Sequence, residues 1–446
     1  MVDKEFRINY NKKIGVKGGR KMGINKPRGT NDILPDEAAK WVYIEKILRK
    51  ICAEYGYQEI RTPIFEHTEL FQRGVGETTD VVEKEMYTFT DRGDRSMTLR
   101  PECTASITRA YLENKMHALP QPNKLFYIGP MFRYDRPQAG RYRQFHQFGI
   151  ESLGAADPMI DAEIIALVID LYQRLGLTDL AVHLNSVGCP KCRAVYREKL
   201  IQHLRDKKEY LCEDCQSRLE RNPLRVLDCK SEKCKEYTKD VPSVLDSLCE
   251  ECADHLEGVK AYLDELSIPY ELDPKLVRGL DYYTKTAFEI IYSGLGAQST
   301  VCGGGRYDGL IKECGGADTP AVGCAMGLER LLLTLEKKGI DLPKPESLDV
   351  FIAPLGETAK KAAFSLMHKL RRAGLKTVTD YFGRSLKAQL KQADKRQAAV
   401  AVILGEAELE KGEAIVRVLA TGEQEEAAIS QLTEVITAKL KEEKKC

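Results

Sequence analysis

Four arginines and a closing carboxylate crowd one short stretch of this chain: Phe132-Arg133-Tyr134-Asp135-Arg136, then Arg141-Tyr142-Arg143-Gln144-Phe145, then Glu151. Guanidinium groups stay charged and present a planar fork of donors, so several of them held by a rigid element can grip phosphate oxygens two at a time. The apolar run Lys124–Phe132 reads as a buried strand and Phe145–Glu151 as its antiparallel return. Arg136-Pro-Gln-Ala-Gly-Arg141 supplies the Pro and Gly of a hairpin tip between them. Alone, this is an anion-binding hairpin, and a solvated charged edge fits equally well.

Other segments carry further chemistry. Arg278 sits in the largely apolar Leu276-Val-Arg-Gly-Leu-Asp-Tyr282-Tyr283, where an unpaired guanidinium would be costly, so a salt bridge or a ligand must meet it. Glu102 lies in Leu99-Arg-Pro-Glu-Cys-Thr104, and Arg330 follows Gly327-Leu-Glu at a helix start, where backbone amides favour anions. Eight cysteines form four close pairs, Cys189/Cys192, Cys212/Cys215, Cys229/Cys234 and Cys249/Cys252. Such spacing lets neighbouring thiolates share a tetrahedral zinc, which would be structural here. Which pairs combine is not legible, and a set of small buried thiols is the alternative.

The elements that must position these groups follow from periodicity. Asp36–Tyr55 reads as an amphipathic helix opened by Pro35 and closed by Gly56, and Asp157–Leu175 as a second. The strand after Gly56 ends at Pro63, which favours a sheet edge. A Cys- and charge-rich insertion, 186–268, interrupts a strand-rich region that resumes at Ala287 and runs through Gly303-Gly-Gly to a helix near Gly327. Leu342-Pro-Lys-Pro-Glu-Ser is a linker. Beyond it, strands at 349–353, 376–381, 398–404 and 414–419 alternate with helices at 358–373, 386–393 and 430–440, which predicts a separate α/β domain with a largely parallel sheet. Three regions result: 1–21, 22–345 and 346–446.

Composition bounds the partners. Lys+Arg 68 against Asp+Glu 67 leaves a net charge of +1 over 446 residues, so a nucleic acid would have to be held by local basic patches. No apolar run approaches the length of a membrane span. Residues 1–21 are basic but lack both the apolar core of a secretory signal and any serine, so a cytoplasmic protein is expected. This segment reads as a disordered tail, or as sequence ahead of a true start at Met22.

Taken in order, Gly56–Phe65, Phe132–Glu151 and Gly323–Leu333 resemble the three signature motifs of class II aminoacyl-tRNA synthetases. Leu276–Thr284 and Cys302-Gly-Gly-Gly-Arg306-Tyr307-Asp-Gly are similar to the two signature peptides of the histidyl-tRNA synthetase family, bacterial type. The resemblance spans about Pro27 to about Leu440. It implies an α+β fold: a class II catalytic domain on an antiparallel sheet flanked by helices, with a helical insertion and a C-terminal α/β anticodon-binding domain. It also implies a homodimer built through the first helix and the strand after it. The implied substrates are L-histidine, ATP with Mg2+, and the histidine tRNA, joined through a histidyl-adenylate.

Carried residue by residue, the resemblance assigns Arg133 and Arg278 to the α-phosphate and Arg141 and Arg330 to the outer phosphates of bent ATP, with Arg133, Arg278 and Arg330 as the catalytic set. Asp135 stands where a glutamate is more usual and would accept from the adenine amino group. Glu102 and Thr104 are assigned the α-ammonium of histidine, and Gln147, Arg133 and Arg278 its carboxylate side. Glu151 and Tyr283 would bracket the imidazole, with Tyr282 beside them. Pairing both ring nitrogens would reject apolar analogues, because the pocket's own polar groups would be left unmet. Cys103 stands where many relatives have glycine, and His146 reads as structural. Two non-enzymes share this fold. One is a regulatory paralogue of ATP phosphoribosyltransferase that characteristically lacks the C-terminal domain. The other is a tRNA-sensing segment fused to a kinase, and this chain has no kinase motif.

Overall fold

The computed structural model describes residues 24–76, 79–138, 140–294, 300–345 and 347–443; the 1–21 segment lies outside them. Its chain is built around the expected hairpin. Asn123–Phe132 and Gln144–Leu153 pair antiparallel over ten residues, from Asn123↔Leu153 to Phe132↔Gln144. In chain order the strands of the larger unit begin with β1 (Gln58–Glu59), β2 (Phe65–His67), β3 (Tyr87–Thr90) and β4 (Ser96–Leu99). There follow β5 (Asn123–Phe132), β6 (Gln144–Leu153), β7 (Ala181–Ser186), β8 (Tyr270–Leu272), β9 (Thr284–Ile291), β10 (Thr300–Arg306) and β11 (Ala321–Gly327). Eight of them form one sheet in the order β1-β5-β6-β11-β10-β9-β7-β8, parallel only at its two edges. Strands β2, β4 and β3 form a separate small sheet. The edge expected near Pro63 is β1, although it is only two residues long and Pro63 lies beyond it.

The two-residue period of the strands decides which side chains meet. Phe126, Phe148, Ile150, Phe288 and Ile290 face a core completed by the helices Pro35–Glu54 and Pro158–Arg174. The alternate residues Tyr127, Phe145, Gln147, Glu151 and Ala287 belong to the opposite face, where the functional groups lie. Both helices begin with Pro in the first turn, where its missing N–H costs nothing, and Asp157 caps the second by accepting from the Met159 amide at 2.8 Å.

Between β7 and β8 the chain leaves the sheet as four helices, Pro190–Leu204, Glu213–Arg221, Glu232–Tyr237 and Glu250–Glu265. The insertion has a small apolar core of its own that includes Tyr196, Leu200, Leu219, Val226, Cys215 and Cys234.

The chain divides into two compact units, one holding residues 41–342 and the other running from Pro343 onward. In the second, β12 (Leu348–Pro354), β13 (Thr377–Thr379), β14 (Ala398–Leu404), β15 (Glu413–Val418) and β16 (Gln424–Ala428) order as β13-β12-β14-β15-β16. Its sheet is mixed, where a largely parallel one was expected: β12 pairs parallel with β13 and β14, but β15 and β16 return antiparallel. The strand Gln424-Glu-Glu-Ala-Ala went unread because it has no apolar alternation and sits on an edge, held by backbone pairing to β15. The short helix Glu406–Lys411 was missed for a similar reason, having no buried residue.

Candidate active site

A cavity of about 340 Å³ opens on the face of the sheet away from the two long helices. Glu102, Thr104, Arg133, Asp135, Arg141, Gln147, Glu151, Arg278, Tyr282, Tyr283 and Arg330 all line it, which brings together every ATP- and histidine-site residue expected from sequence.

One part is a small polar pocket with aromatic walls. Glu151 is 1% exposed; its carboxylate accepts from the Thr104 hydroxyl at 2.7 Å and from the Tyr307 hydroxyl. Burial pushes its acid up to about 8, assisted by nearby Glu102 and opposed by those two donors. Glu102 accepts from the backbone amides of Thr104 at 2.7 Å and Ala105 at 3.0 Å, fixing the start of the helix Thr104–Glu113. Burial raises Glu102 above the usual carboxylate range despite those amides and Arg133. The rings of Tyr282 and Tyr283 lie 4.7 Å apart and Tyr307 meets Tyr282 edge-on at 5.5 Å. The buried Gln147 carbonyl oxygen has no hydrogen-bond partner among the described residues, so it offers an acceptor to a ligand.

The glycine-rich peptides explain how such large groups fit against the sheet. Gly323 is registered opposite Glu151, and a Cβ there would come within 1.7 Å of the Glu151 carboxylate. On the next strand a Cβ at Gly303 would lie 2.4 Å from the Arg278 guanidinium. Both side chains therefore rest on bare backbone.

The other part is cationic. Arg278 pairs with Glu289, whose second oxygen accepts from Thr300 at 2.8 Å. Burial alone would lower Arg278, but Glu289 and Tyr283 outweigh it and keep its affinity for the proton above normal. Arg133 donates to the Pro101 carbonyl at 2.9 Å and lies 5.6 Å from the Phe145 ring. Arg141 pairs with Asp135 and approaches Glu85 at 3.8 Å. Arg330 donates to the Thr300 carbonyl at 2.6 Å; burial, and then the like charge of Arg141, shift it downward. Two guanidiniums that repel one another in the lining of one cavity invite an anion between them.

The arginines lie just off the two strands, which end at Phe132 and resume at Gln144. Arg133 follows the last residue of β5, and Arg136, Arg141 and Arg143 precede β6. Only Arg133 and Arg141 of the four reach the cavity; Arg143 stacks 3.9 Å over Tyr134 and donates to the Asp135 carbonyl. His146 is structural as expected, bound to Glu329 at 2.9 Å and edge-on to Trp41. Reading the sequence missed Tyr127, Glu289 and the role of Tyr307. Tyr127 had a signal, because it lies opposite Gly149, where a Cβ would strike its ring at 2.3 Å.

The eight clustered cysteines resolve into two quartets, Cys189/Cys192/Cys249/Cys252 and Cys212/Cys215/Cys229/Cys234, each with all its sulfurs within 4.8 Å of one another. The separations Cys189–Cys192 3.6 Å, Cys189–Cys249 3.9 Å and Cys212–Cys229 3.9 Å match the edge of roughly 3.8 Å of a tetrahedron of thiolates about 2.3 Å from zinc. Backbone amides of Cys212 and Cys249 donate to the sulfurs of Cys234 at 3.2 Å and Cys192 at 3.1 Å, the second layer of contacts that orients metal-binding thiolates. The donor set and its geometry fit a closed tetrahedral metal site in both places.

An antiparallel sheet of this order, with arginines gathered over its open face, has the fold and site of a class II aminoacyl-tRNA synthetase. The profile of the family described as Histidyl-tRNA synthetase matches residues 29–331, and that described as Anticodon binding domain matches residues 349–439. A curated relative from Desulforamulus reducens, named Histidine--tRNA ligase, is 60% identical over 418 residues, covering 94% of this chain and all of that protein. Its namesake from Halothermothrix orenii is 56% identical over 413 residues, 93% of this chain and 99% of that protein. The crystal structure of the apo S. aureus histidyl-tRNA synthetase superposes with a TM-score of 0.79 at 45% identity, covering 93% of this chain and all of that one. The chain belongs to the histidyl-tRNA synthetase family.

Proposed function

We propose that this enzyme ligates L-histidine to its tRNA in two steps at the cavity between β6, β10 and β11. A histidine carboxylate oxygen attacks the α-phosphorus of ATP, the bond to the leaving pyrophosphate breaks, and a histidyl-adenylate remains. The terminal adenosine hydroxyl of the tRNA then attacks the histidyl carbonyl, and AMP leaves. The observation that carries this reading is one cavity holding both a buried polar pocket, Glu151–Thr104–Tyr307 with Gln147, and four guanidiniums, Arg133, Arg141, Arg278 and Arg330.

In this reading Glu151 and Tyr283 meet the imidazole, while Glu102 and Thr104 take the ammonium. Arg133 and Arg278 face the α-phosphate, where charge accumulates in the transition state, and fixed cations there lower the barrier. Arg141 and Arg330 hold the outer phosphates, and ATP brings Mg2+ as its counter-ion. Asp135 is released from Arg141 to accept from the adenine amino group. The unit after Pro343 reads the anticodon. Each thiol quartet holds a structural zinc, which when bound locks the insertion. The enzyme works as a homodimer, a reading supported by exposed Ile64, Phe65 and Phe89 beside the first helix's strand; Phe65 and Phe89 meet at 6.5 Å. ATP–pyrophosphate exchange measured with each of the twenty amino acids tests the assignment: exchange should depend on histidine, and exchange driven by another amino acid would overturn it.

A further inference from the structure

The quartet Cys212/Cys215/Cys229/Cys234, the inner of the two in sequence, borders the cleft that holds the cavity. Beside the cavity described above is a second chamber lined by Arg133, Arg141 and Arg278 from the sheet domain and by Cys212, Cys229 and Lys230 from the insertion. Lys230 lines both spaces. It follows the cysteine Cys229 directly, and Asp228, two residues before it, lies within electrostatic reach of Arg225, of Lys230 itself, and of Glu289 and Arg278, without closing an ion pair to Lys230.

The insertion is fastened in this position. Asp80 pairs with Arg218 at 2.7 Å and Arg225 at 3.0 Å, Glu83 with Arg221 at 2.5 Å, and Lys84 with Asp214 at 3.6 Å. Arg225 also donates to the Arg278 carbonyl at 3.5 Å, and Asn222 to Asp281 at 2.9 Å. Each of these cations has a carboxylate partner: Arg218 and Arg225 share Asp80, Arg141 pairs with Asp135 and Arg278 with Glu289. Among the described residues, Arg133 and Lys230 are the two cations of this chamber engaged in no ion pair. Lys230 makes no hydrogen bond there either and is exposed to the space.

We propose that Lys230 is a phosphate-binding residue of the adenylation site, delivered from the insertion to the triphosphate of ATP by the knuckle that the inner thiol quartet closes. This rests on the adenylation reading above. It also changes the expectation for the metal: the inner quartet shapes ATP binding, while the outer quartet, Cys189/Cys192/Cys249/Cys252, secures the base of the insertion. An ammonium on a flexible stem suits this place, because it acts as a point charge that can follow phosphates as they move.

The test uses the full-length enzyme and titrates ATP by calorimetry in the absence of histidine, alongside histidine-dependent exchange. Lys230→Ala should weaken ATP binding about tenfold, the effect of one lost charge-assisted contact, with the histidine KM and zinc content within about twofold of wild type. Lys230→Arg should restore most of it. Cys229→Ser should lower zinc by about one per chain and reproduce the ATP defect, whereas Cys252→Ser should lower zinc and leave ATP binding nearly intact. Unchanged ATP affinity in Lys230→Ala overturns the proposal, and so does a defect confined to tRNA charging, which would place Lys230 on the RNA. Because binding is read directly, failure of histidine-dependent exchange in the wild type would sink the functional reading and still leave this contact measurable.

Discussion

Glu102 and Glu151 are two buried carboxylates joined through one residue: the Thr104 amide donates to Glu102 and the Thr104 hydroxyl to Glu151, both at 2.7 Å. Two acids so placed in a dry pocket resist ionising together, and burial puts the cost on Glu151, whose acid is raised to about 8.

A pH dependence of histidine binding follows. The native fold favours protonated Glu151, so its contribution to stability is full below about 4.5 and is lost as pH rises through about 8. If the Glu151–imidazole pair carries one proton, histidine affinity should be nearly flat from about pH 6.5, where the free imidazole titrates, to about pH 8. Above that it should fall roughly tenfold per pH unit, because the proton must be taken from water. Calorimetric Kd values at pH 7, 8 and 9 check this; a tenfold loss already between pH 7 and 8 would mean that Glu151 is ionised in the empty pocket, and a constant Kd would mean that histidine binds without taking up a proton.

Arg278→Ala should lower the maximal rate of histidine-dependent exchange by about 10²–10³ while the melting temperature moves little, since its work is done on charge that develops in the transition state. The residue also neutralises Glu289, so Glu289→Gln in the same background separates the two contributions. Near-normal exchange in Arg278→Ala would make the pair purely structural.

Gly323→Ala is the smallest change expected to damage recognition of histidine. The added methyl would meet the Glu151 carboxylate at 1.7 Å and the Ile150 carbonyl at 2.6 Å, so both the side chain and the strand must give. Overpacking of this kind costs about 1–3 kcal/mol. The histidine KM should rise at least tenfold with a smaller change in the ATP KM, and an unaltered histidine KM would show that Glu151 moves freely.

Removal of residues 343–446 should reduce tRNA charging far more than pyrophosphate exchange, because every residue of the cavity lies upstream. Equal loss of both activities in a soluble, folded enzyme would contradict that division.

Metal analysis of protein purified without added zinc should find about two zinc per chain, one for each quartet. Chelation should free the thiols to titrate and lower the melting temperature, since closed thiolate sites contribute folding free energy directly. Less than about 0.3 zinc per chain, with all eight thiols titrating at once, would leave only buried cysteines.

The parts of this architecture that were legible in sequence are those governed by local periodicity. The hairpin around Arg133, the helix behind Asp157 and the start of the helix at Gly327 each follow from residues within one or two turns of themselves. Nothing local could reveal that Cys192 joins Cys249 and not Cys212, because the pairs at 189, 212 and 249 share one spacing and the partner is chosen by how the insertion folds. Lys230 was hidden for the same reason: it looks like one charge in a charged segment until the ion pairs of Asp80 bring the insertion against Arg278. The bare backbone at Gly303 and Gly323 was visible as glycine, but what lies on it was not.

The two quartets are nested, and nesting sets an order of synthesis. Cys212 and Cys234 are 22 residues apart and enclosed by Cys189 and Cys249, which are 60 apart. A chain leaving the ribosome therefore exposes all four inner thiols before the second half of the outer set emerges. The shorter loop also closes with the smaller entropic loss. The insertion can thus acquire its fold before β9, β10 and β11 emerge, and the nascent sheet receives a finished module against which its last three central strands are laid.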